Sequence, residues 1–229
     1  MKVLAFDCSG AACSAALWED GTTGAHRFER RERGHAERLL PMLREILSER
    51  GATFSDVDIF AASTGPGAFT GVRVGLATLR GLALAVGRPM LGVTSFEAIA
   101  HSTDEGERAG RDLLVVIESK RADLFAQTFS PSLLQEGAPQ ALPPDRLVEQ
   151  ILATNSRNAL LVAGDGAGRI TPLLRKTGRD AVEARAAAFP DASAIARLAA
   201  TWRARASHRP PAPIYLRAPA VTLQHPARG

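Results

Sequence analysis

Between Ser63 and Gly81 the chain reads STGPGAFTGVRVGLATLRG, and few folds accommodate such a segment. An apolar strand ends at Ser63, the backbone breaks at Gly65-Pro66-Gly67, and a helical pattern follows. The break has local causes. Glycine reaches backbone angles closed to other residues, and proline fixes φ while removing a donor. A strand that turns straight into a helix points to a layered α/β protein. The turn also leaves the first N–H groups of the helix unpaired, which suits an anion. Gly65 and Gly67 are therefore candidate phosphate-facing positions, and Thr70 is the expected N-cap.

The helix after the break carries small residues at a regular interval: Gly67, Gly71 and Gly75 recur every fourth position. Each glycine in a helix interior costs about 1 kcal/mol relative to alanine, so several of them require a compensating contact. Two readings stay open. The glycines let the helix lie close on its own sheet, or they form a flat stripe for a helix of another chain. Arg73 and Arg80, seven apart, share a different face.

Around this centre the pattern alternates strands and helices. Strands are expected at Lys2–Cys8, Cys13–Trp18 and Thr22–Glu29, with Asp20-Gly21 as a hairpin turn. A helix is expected over 35–50, with Leu39, Leu40, Leu43, Ile46 and Leu47 on one face. Pro41 should kink it near Glu37 or mark its first turn. A strand at Val57–Ser63 enters the glycine turn, a short strand follows at Met90–Val93, and Ser95 is the expected cap of a helix over Phe96–His101. The polar run from Thr103 to Gly110 reads as a lobe boundary.

The expected lobes are 1–103 and 110–206, followed by an extended tail over 207–229 with Tyr215 and Leu216 as anchors. In the second lobe, strands at Leu113–Ile117, Leu124–Phe129 and Ala159–Ala163 are joined by a loop over Pro131–Pro144 and a helix capped by Asp145. A helix over 192–205, capped by Asp191, either closes this lobe or packs back on the first. Each lobe opens with a strand ending on an acid, Asp7 or Glu118. Each later runs a strand into a glycine turn, Gly65-Pro66-Gly67 or Gly164-Asp165-Gly166. Duplicated acids and glycine turns about one cleft would suit a polyphosphate and its metal ion, with Asp7, Ser9 and Gly10 facing it.

Composition narrows the chemistry. The net charge of +4 permits a nucleotide or RNA partner without demanding one, and lysine occurs only at positions 2, 120 and 176. At 5% aromatic residues the chain promises no stacking platform for single-stranded nucleic acid. Cys8 and Cys13 lie in apolar strand-like runs and read as buried hydrophobes in a reduced, cytoplasmic protein. Asp7 interrupts the first apolar run, so no secretory leader is expected, and no run of about 18 uncharged apolar residues suggests a membrane span. No His-Glu-x-x-His, Gly-x-Ser-x-Gly or Walker lysine motif occurs, so zinc peptidase, serine hydrolase and P-loop chemistry are not indicated.

Four segments together carry a resemblance: Val3-Leu4-Ala5-Phe6-Asp7, His35-Ala36-Glu37-Arg38-Leu39-Leu40-Pro41, the run from Gly65 to Gly75, and Pro213-Ile214-Tyr215-Leu216-Arg217. In these the chain resembles the TsaB (YeaZ) family of bacterial tRNA threonylcarbamoyladenosine biosynthesis proteins. The resemblance implies a two-lobed, actin-like fold of the sugar-kinase and heat-shock ATPase type. It implies a non-catalytic scaffold in the complex that places threonylcarbamoyl on N6 of adenosine 37 of tRNA. The implied partners are a TsaD-type catalytic subunit, a TsaE-type ATPase and tRNA held by the complex, with a homodimer when alone. On this resemblance the stripe becomes a partner surface made of Leu39, Leu43, Ile46, Gly71, Val72, Gly75 and Leu79. No cofactor is then required, and any ATP or ADP binding is weak. Where an Asp-Ala-Arg-type stretch is expected, the second lobe reads Glu118-Ser119-Lys120-Arg121. The alternative is an autonomous actin-like ATPase or small-molecule kinase using Asp7 and the glycine turns.

Overall fold

A computed structural model gives the fold and describes residues 1–154, 156, 158–204 and 211–217. The first sheet starts as a meander of β1 (Lys2–Gly10), β2 (Ala12–Glu19) and β3 (Thr22–Arg30). Then come α1 (His35–Glu49), a 3-10 turn at Phe54–Asp56, β4 (Ile59–Ser63), α2 (Phe69–Val86), β5 (Met90–Val93) and α3 (Ser95–Ala100). After α4 (Glu105–Arg108) the second sheet repeats the plan. It comprises β6 (Arg111–Glu118), β7 (Leu124–Phe129), β8 (Gln135–Leu142), α5 (Pro144–Ala153), β9 (Ala159–Ala163), α6 (Ala167–Lys176) and β10 (Ala181–Glu183). The last helix is α7 (Ala192–Ala204).

Strand order is β3-β2-β1-β4-β5 in one sheet and β10-β9-β6-β7-β8 in the other. In each, a central strand pairs antiparallel with its hairpin partner on one side and parallel with a crossover strand on the other. The duplication seen faintly as matched acids and glycine turns is thus a duplication of topology.

Alternation along β1 explains how one strand serves two cores. Leu4, Phe6 and Cys8 face a cluster built with α1 and α2. Val3 and Ala5 face the opposite way, against Ala192, Ile195, Ala196 and Ala199 of α7. The second sheet behaves alike. Leu114 and Val116 meet α5 and α6, while Leu113, Val115 and Ile117 meet Phe96 and Ile99 of α3. Hence α7 covers the first sheet and α3 packs against the second.

Several boundaries differ from the sequence expectation. α1 runs through Pro41 without breaking; it forgoes the bond to the Glu37 carbonyl and keeps its buried face of Leu39, Met42, Leu43, Ile46 and Leu47. Ala68, not Thr70, is the N-cap of α2, and Thr94 rather than Ser95 caps α3, accepting from Glu97 N at 3.0 Å. Asp145 lies inside α5 behind Pro143 and Pro144. The expected loop over 131–144 contains β8, an edge strand whose first half is exposed and carries no apolar alternation. β10 and α4, each under five residues, were not expected. Most of the tail expected at 207–229, with His208 and His225, lies outside the described residues, as does Arg205.

Candidate functional site: the interlobe cleft and the outer face of α2

The ends of β1, β4 and β6 converge on a cleft between the lobes. Behind its wall Asp7 is fully buried and lines no cavity; its Oδ1 accepts from Ser9 N (3.1 Å), Ser9 Oγ (2.6 Å) and Ser63 Oγ. The Ser9 hydroxyl also meets that of Ser95 at 3.1 Å. Oδ2 has no partner within the protein. Burial pushes the Asp7 carboxyl up to about 6, against the opposing pull of the Ser63 and Ser9 hydrogen bonds. Across the cleft, Glu118 is held by Arg169 Nη1 at 2.7 Å, and its N–H donates to Asp165 Oδ1 at 2.9 Å. Burial, and then the neighbouring Glu118 charge, raise Asp165 to about 6 as well.

The glycines of both turns are filled by the chain itself. A Cβ on Gly67 would run into the Ser9 carbonyl, and one on Gly71 into the Cys8 carbonyl. The Ala68 N–H donates to the Ser9 carbonyl at 2.7 Å, so part of the anion-suited helix start is already engaged. Gly10 faces the Phe189 ring, while Gly164 and Gly166 back onto Val116. These glycines permit close backbone packing at the sheet ends. Of the expected phosphate-facing set, only Gly10 and Gly67 line the cleft; Asp7, Ser9 and Gly65 are buried behind its wall, and the inner side of Gly67 packs on the Ser9 carbonyl. Among the described residues no cluster of three or more His, Cys, Asp or Glu side chains could hold a metal ion.

The open part of the cleft is a cavity of about 900 Å³, bounded by Gly10, His35, Phe69, Lys120, Arg121 and Tyr215 among others. A smaller one, about 500 Å³, lies beyond Phe189 and beside Asp165 and Asp191. The Arg30 guanidinium sits 5.6 Å from the Phe189 ring centroid.

The expected partner surface needs correction. Leu39, Leu43, Ile46 and Leu79 are no more than 1% exposed, and Val72 is 3% exposed, all within the core against the first sheet. Gly71 abuts β1. Apart from Leu40, the apolar face read from periodicity on α1 is one the subunit encloses for itself. What remains open is the opposite side of α2. Only a third of that helix is buried, although it is apolar and long enough by composition to cross a membrane. Thr70, Arg73, Ala77, Gly81, Leu84 and Ala85 line its outer side, with Leu84 85% exposed. Leu40 on α1 is exposed too; Gly75 is itself buried, although a Cβ added there would meet nothing within 4 Å. Sequence reasoning missed Leu84, Ala77 and Gly81. The signal available was an apolar pattern running all round α2, wider than one buried face requires.

Two sheets of matched topology, flanked by helices and meeting at a cleft, define an actin-like protein of the ATPase fold class. The ethanolamine utilization protein EutJ from Carboxydothermus hydrogenoformans shares this fold at a TM-score of 0.52 and 10% identity, over 86% of this chain and 89% of that one. A much closer match is YeaZ from Pseudomonas aeruginosa, at a TM-score of 0.80 and 31% identity, covering 94% of this chain and 99% of that chain. The chain belongs to the YeaZ (TsaB) family. It is also 40% identical over 125 residues to the tRNA threonylcarbamoyladenosine biosynthesis protein TsaB of Escherichia coli, which is 55% of this chain and 53% of that protein. The chain thus spans about half the length of the curated relatives it matches first. A family model described as TsaD, tRNA N6-adenosine threonylcarbamoyltransferase, matches residues 29–137.

Proposed function

We propose that this protein serves tRNA threonylcarbamoyladenosine biosynthesis as a non-catalytic subunit that docks a TsaD-type catalytic subunit on the outer face of α2. The observation that carries this reading is the exposed small-residue and apolar surface of Ala77, Gly81, Leu84 and Ala85, continued by Leu40 on α1. Small side chains let a partner helix approach closely, and an apolar helix face left open to water favours association. The matched family model supports it, because a TsaD-like chain would present a related helix pair and allow quasi-symmetric packing. On this reading the free protein is a homodimer through the same face, and tRNA and a TsaE-type ATPase join through the wider complex. The setting is the cytoplasm, no membrane takes part and no cofactor is required. The packed glycine turns and the enclosed Asp7 Oδ1 argue against a phosphate seat worked by this chain alone.

Co-purification of the untagged catalytic subunit with this chain tests the reading. Leu84→Arg and Gly81→Leu should each cut association at least tenfold without lowering the thermal midpoint of the isolated chain. Undiminished association of both variants would refute the docking face. ATP hydrolysis by the isolated protein, abolished in Asp7→Asn, would replace the scaffold reading with the autonomous ATPase.

A further inference from the structure

Two exposed arginines on α2, Arg73 and Arg80, both reach one segment, residues 211–217, whose own Arg217 reaches the second lobe. Arg80 Nη2 donates to the Pro211 carbonyl at 3.2 Å. The Ile214 N–H donates to the Thr64 carbonyl at 2.8 Å, directly before the Gly65-Pro66-Gly67 turn. Arg73 donates from Nε to the Tyr215 hydroxyl at 3.4 Å and stacks 3.6 Å from the Phe69 centroid, with the Phe69 and Tyr215 rings 5.8 Å apart. All these contacts are with the first lobe. The segment then crosses: Leu216 packs against the second-sheet cluster of Ile117 and Phe129, and Arg217 forms an ion pair with Asp123, in the turn between β6 and β7. Ile214, Tyr215, Leu216 and Arg217 all line the 900 Å³ cavity.

We infer that residues 211–217 act as a clasp that fastens the first lobe to the β6–β7 turn of the second and roofs the cleft, so that solutes enter when the clasp lifts. The sequence Pro-Ile-Tyr-Leu-Arg suits this task. Proline keeps the segment extended, the Ile214 amide makes its one backbone bond among the described residues, Tyr215 and Leu216 reach different lobes, and arginine closes the far end. The fastening is light. Tyr215 is 48% exposed, and the Arg217–Asp123 pair, 31% and 18% exposed, belongs to a class of ion pair that contributes little alone. A weakly held segment over a cavity opens locally without unfolding the sheets.

The test uses the isolated full chain and two readouts. Exchange of the Ile214 amide reports the clasp itself, and alkylation at Phe125→Cys, a partly buried position lining the cavity, reports entry beneath it. Arg217→Glu should speed both about five- to tenfold at an unchanged far-ultraviolet dichroism spectrum. The charge swap Arg217→Glu with Asp123→Arg should return both to within about twofold of the parent. Tyr215→Ala, at an exposed position, should also speed both. If Arg217→Glu and Tyr215→Ala leave both rates at the parent value, the segment is not a clasp. If the single variants accelerate exchange and the charge swap fails to restore it, the pairing across the cleft is wrong.

Discussion

Gly71 and Gly75 are one turn apart on α2 and do opposite things. At Gly71 the helix backbone touches the Cys8 carbonyl, so a methyl group there must displace α2 from β1. Gly71→Ala is expected to destabilise the isolated chain by about 1–3 kcal/mol, the cost of overpacking a tight core. Gly75→Ala meets open space and should stabilise it by about 0.5–1 kcal/mol through helix propensity. Urea titration of the pair reads the sign of each; equal effects would mean the stripe has one role, not two. Asp7 adds a pH signature. Its folded pKa, about 6, lies above the carboxylate's ordinary 3.8, so between those values the native state holds the proton more tightly than the unfolded chain. Stability contributed by this group is therefore present below pH 3.8 and lost as pH rises to about 6, a change on the order of 3 kcal/mol. In Asp7→Asn the Oδ1 acceptor survives and the charge does not. Its stability relative to the parent should increase from pH 4 to pH 7 in thermal melts; a constant difference would show that Asp7 ionises normally.

At the scale of elements, most of the α/β order was legible because strands two residues in period and helices with one apolar face write themselves into the sequence. The failures have physical reasons. β8 is an edge strand with one side in water, so Gln135-Glu136-Gly137 carries no alternation to read. Caps were misplaced at Thr70 and Ser95 because each competes with a neighbour one or two residues upstream. Periodicity located the buried face of α1 except at Leu40, which is exposed, and Met42, which is buried in its place. It could not say whether the cover was this chain's own sheet or another molecule, and Leu39, Leu43 and Ile46 were assigned to the wrong one. Pro41 is the sharpest case, since sequence alone would end or bend α1 there, whereas the packing of Met42, Leu43, Ile46 and Leu47 carries the helix through. Pro41 itself is exposed. Pro41→Ala restores the hydrogen bond to Glu37 and should stabilise the chain by about 1–3 kcal/mol, less than the full helix penalty because the unfolded chain also gains freedom. A lower denaturation midpoint would mean that proline is required by the α1 geometry.

Across the whole molecule, the duplicated topology was legible as matched acids and glycine turns, but the way the lobes are fastened was not. That depends on contacts far apart in the chain. Ser14 Oγ in β2 accepts from Ala192 N at the start of α7 (3.1 Å), and Asp191 beside it meets His26 of β3 at 3.0 Å. Arg197 of α7 donates to the His101 carbonyl at the end of α3, 2.6 Å away. The second face of the first sheet, Val3, Ala5, Ala16, Ile59 and Ala61, is covered by a helix contributed by the last third of the chain. The chain is two-lobed in outline, yet neither lobe owns all of its core. A fragment ending near 103 would expose that face to water, so the lobes should melt together. Calorimetry of the full chain is expected to show one transition whose van't Hoff and calorimetric enthalpies agree. Ile195→Ala removes a fully buried side chain at the seam and should cost about 2–5 kcal/mol while keeping the transition single. If instead the melt splits, with the Ile195→Ala variant losing only the component that reports Trp18 fluorescence, α7 would be an attachment to a self-sufficient first lobe rather than part of its core.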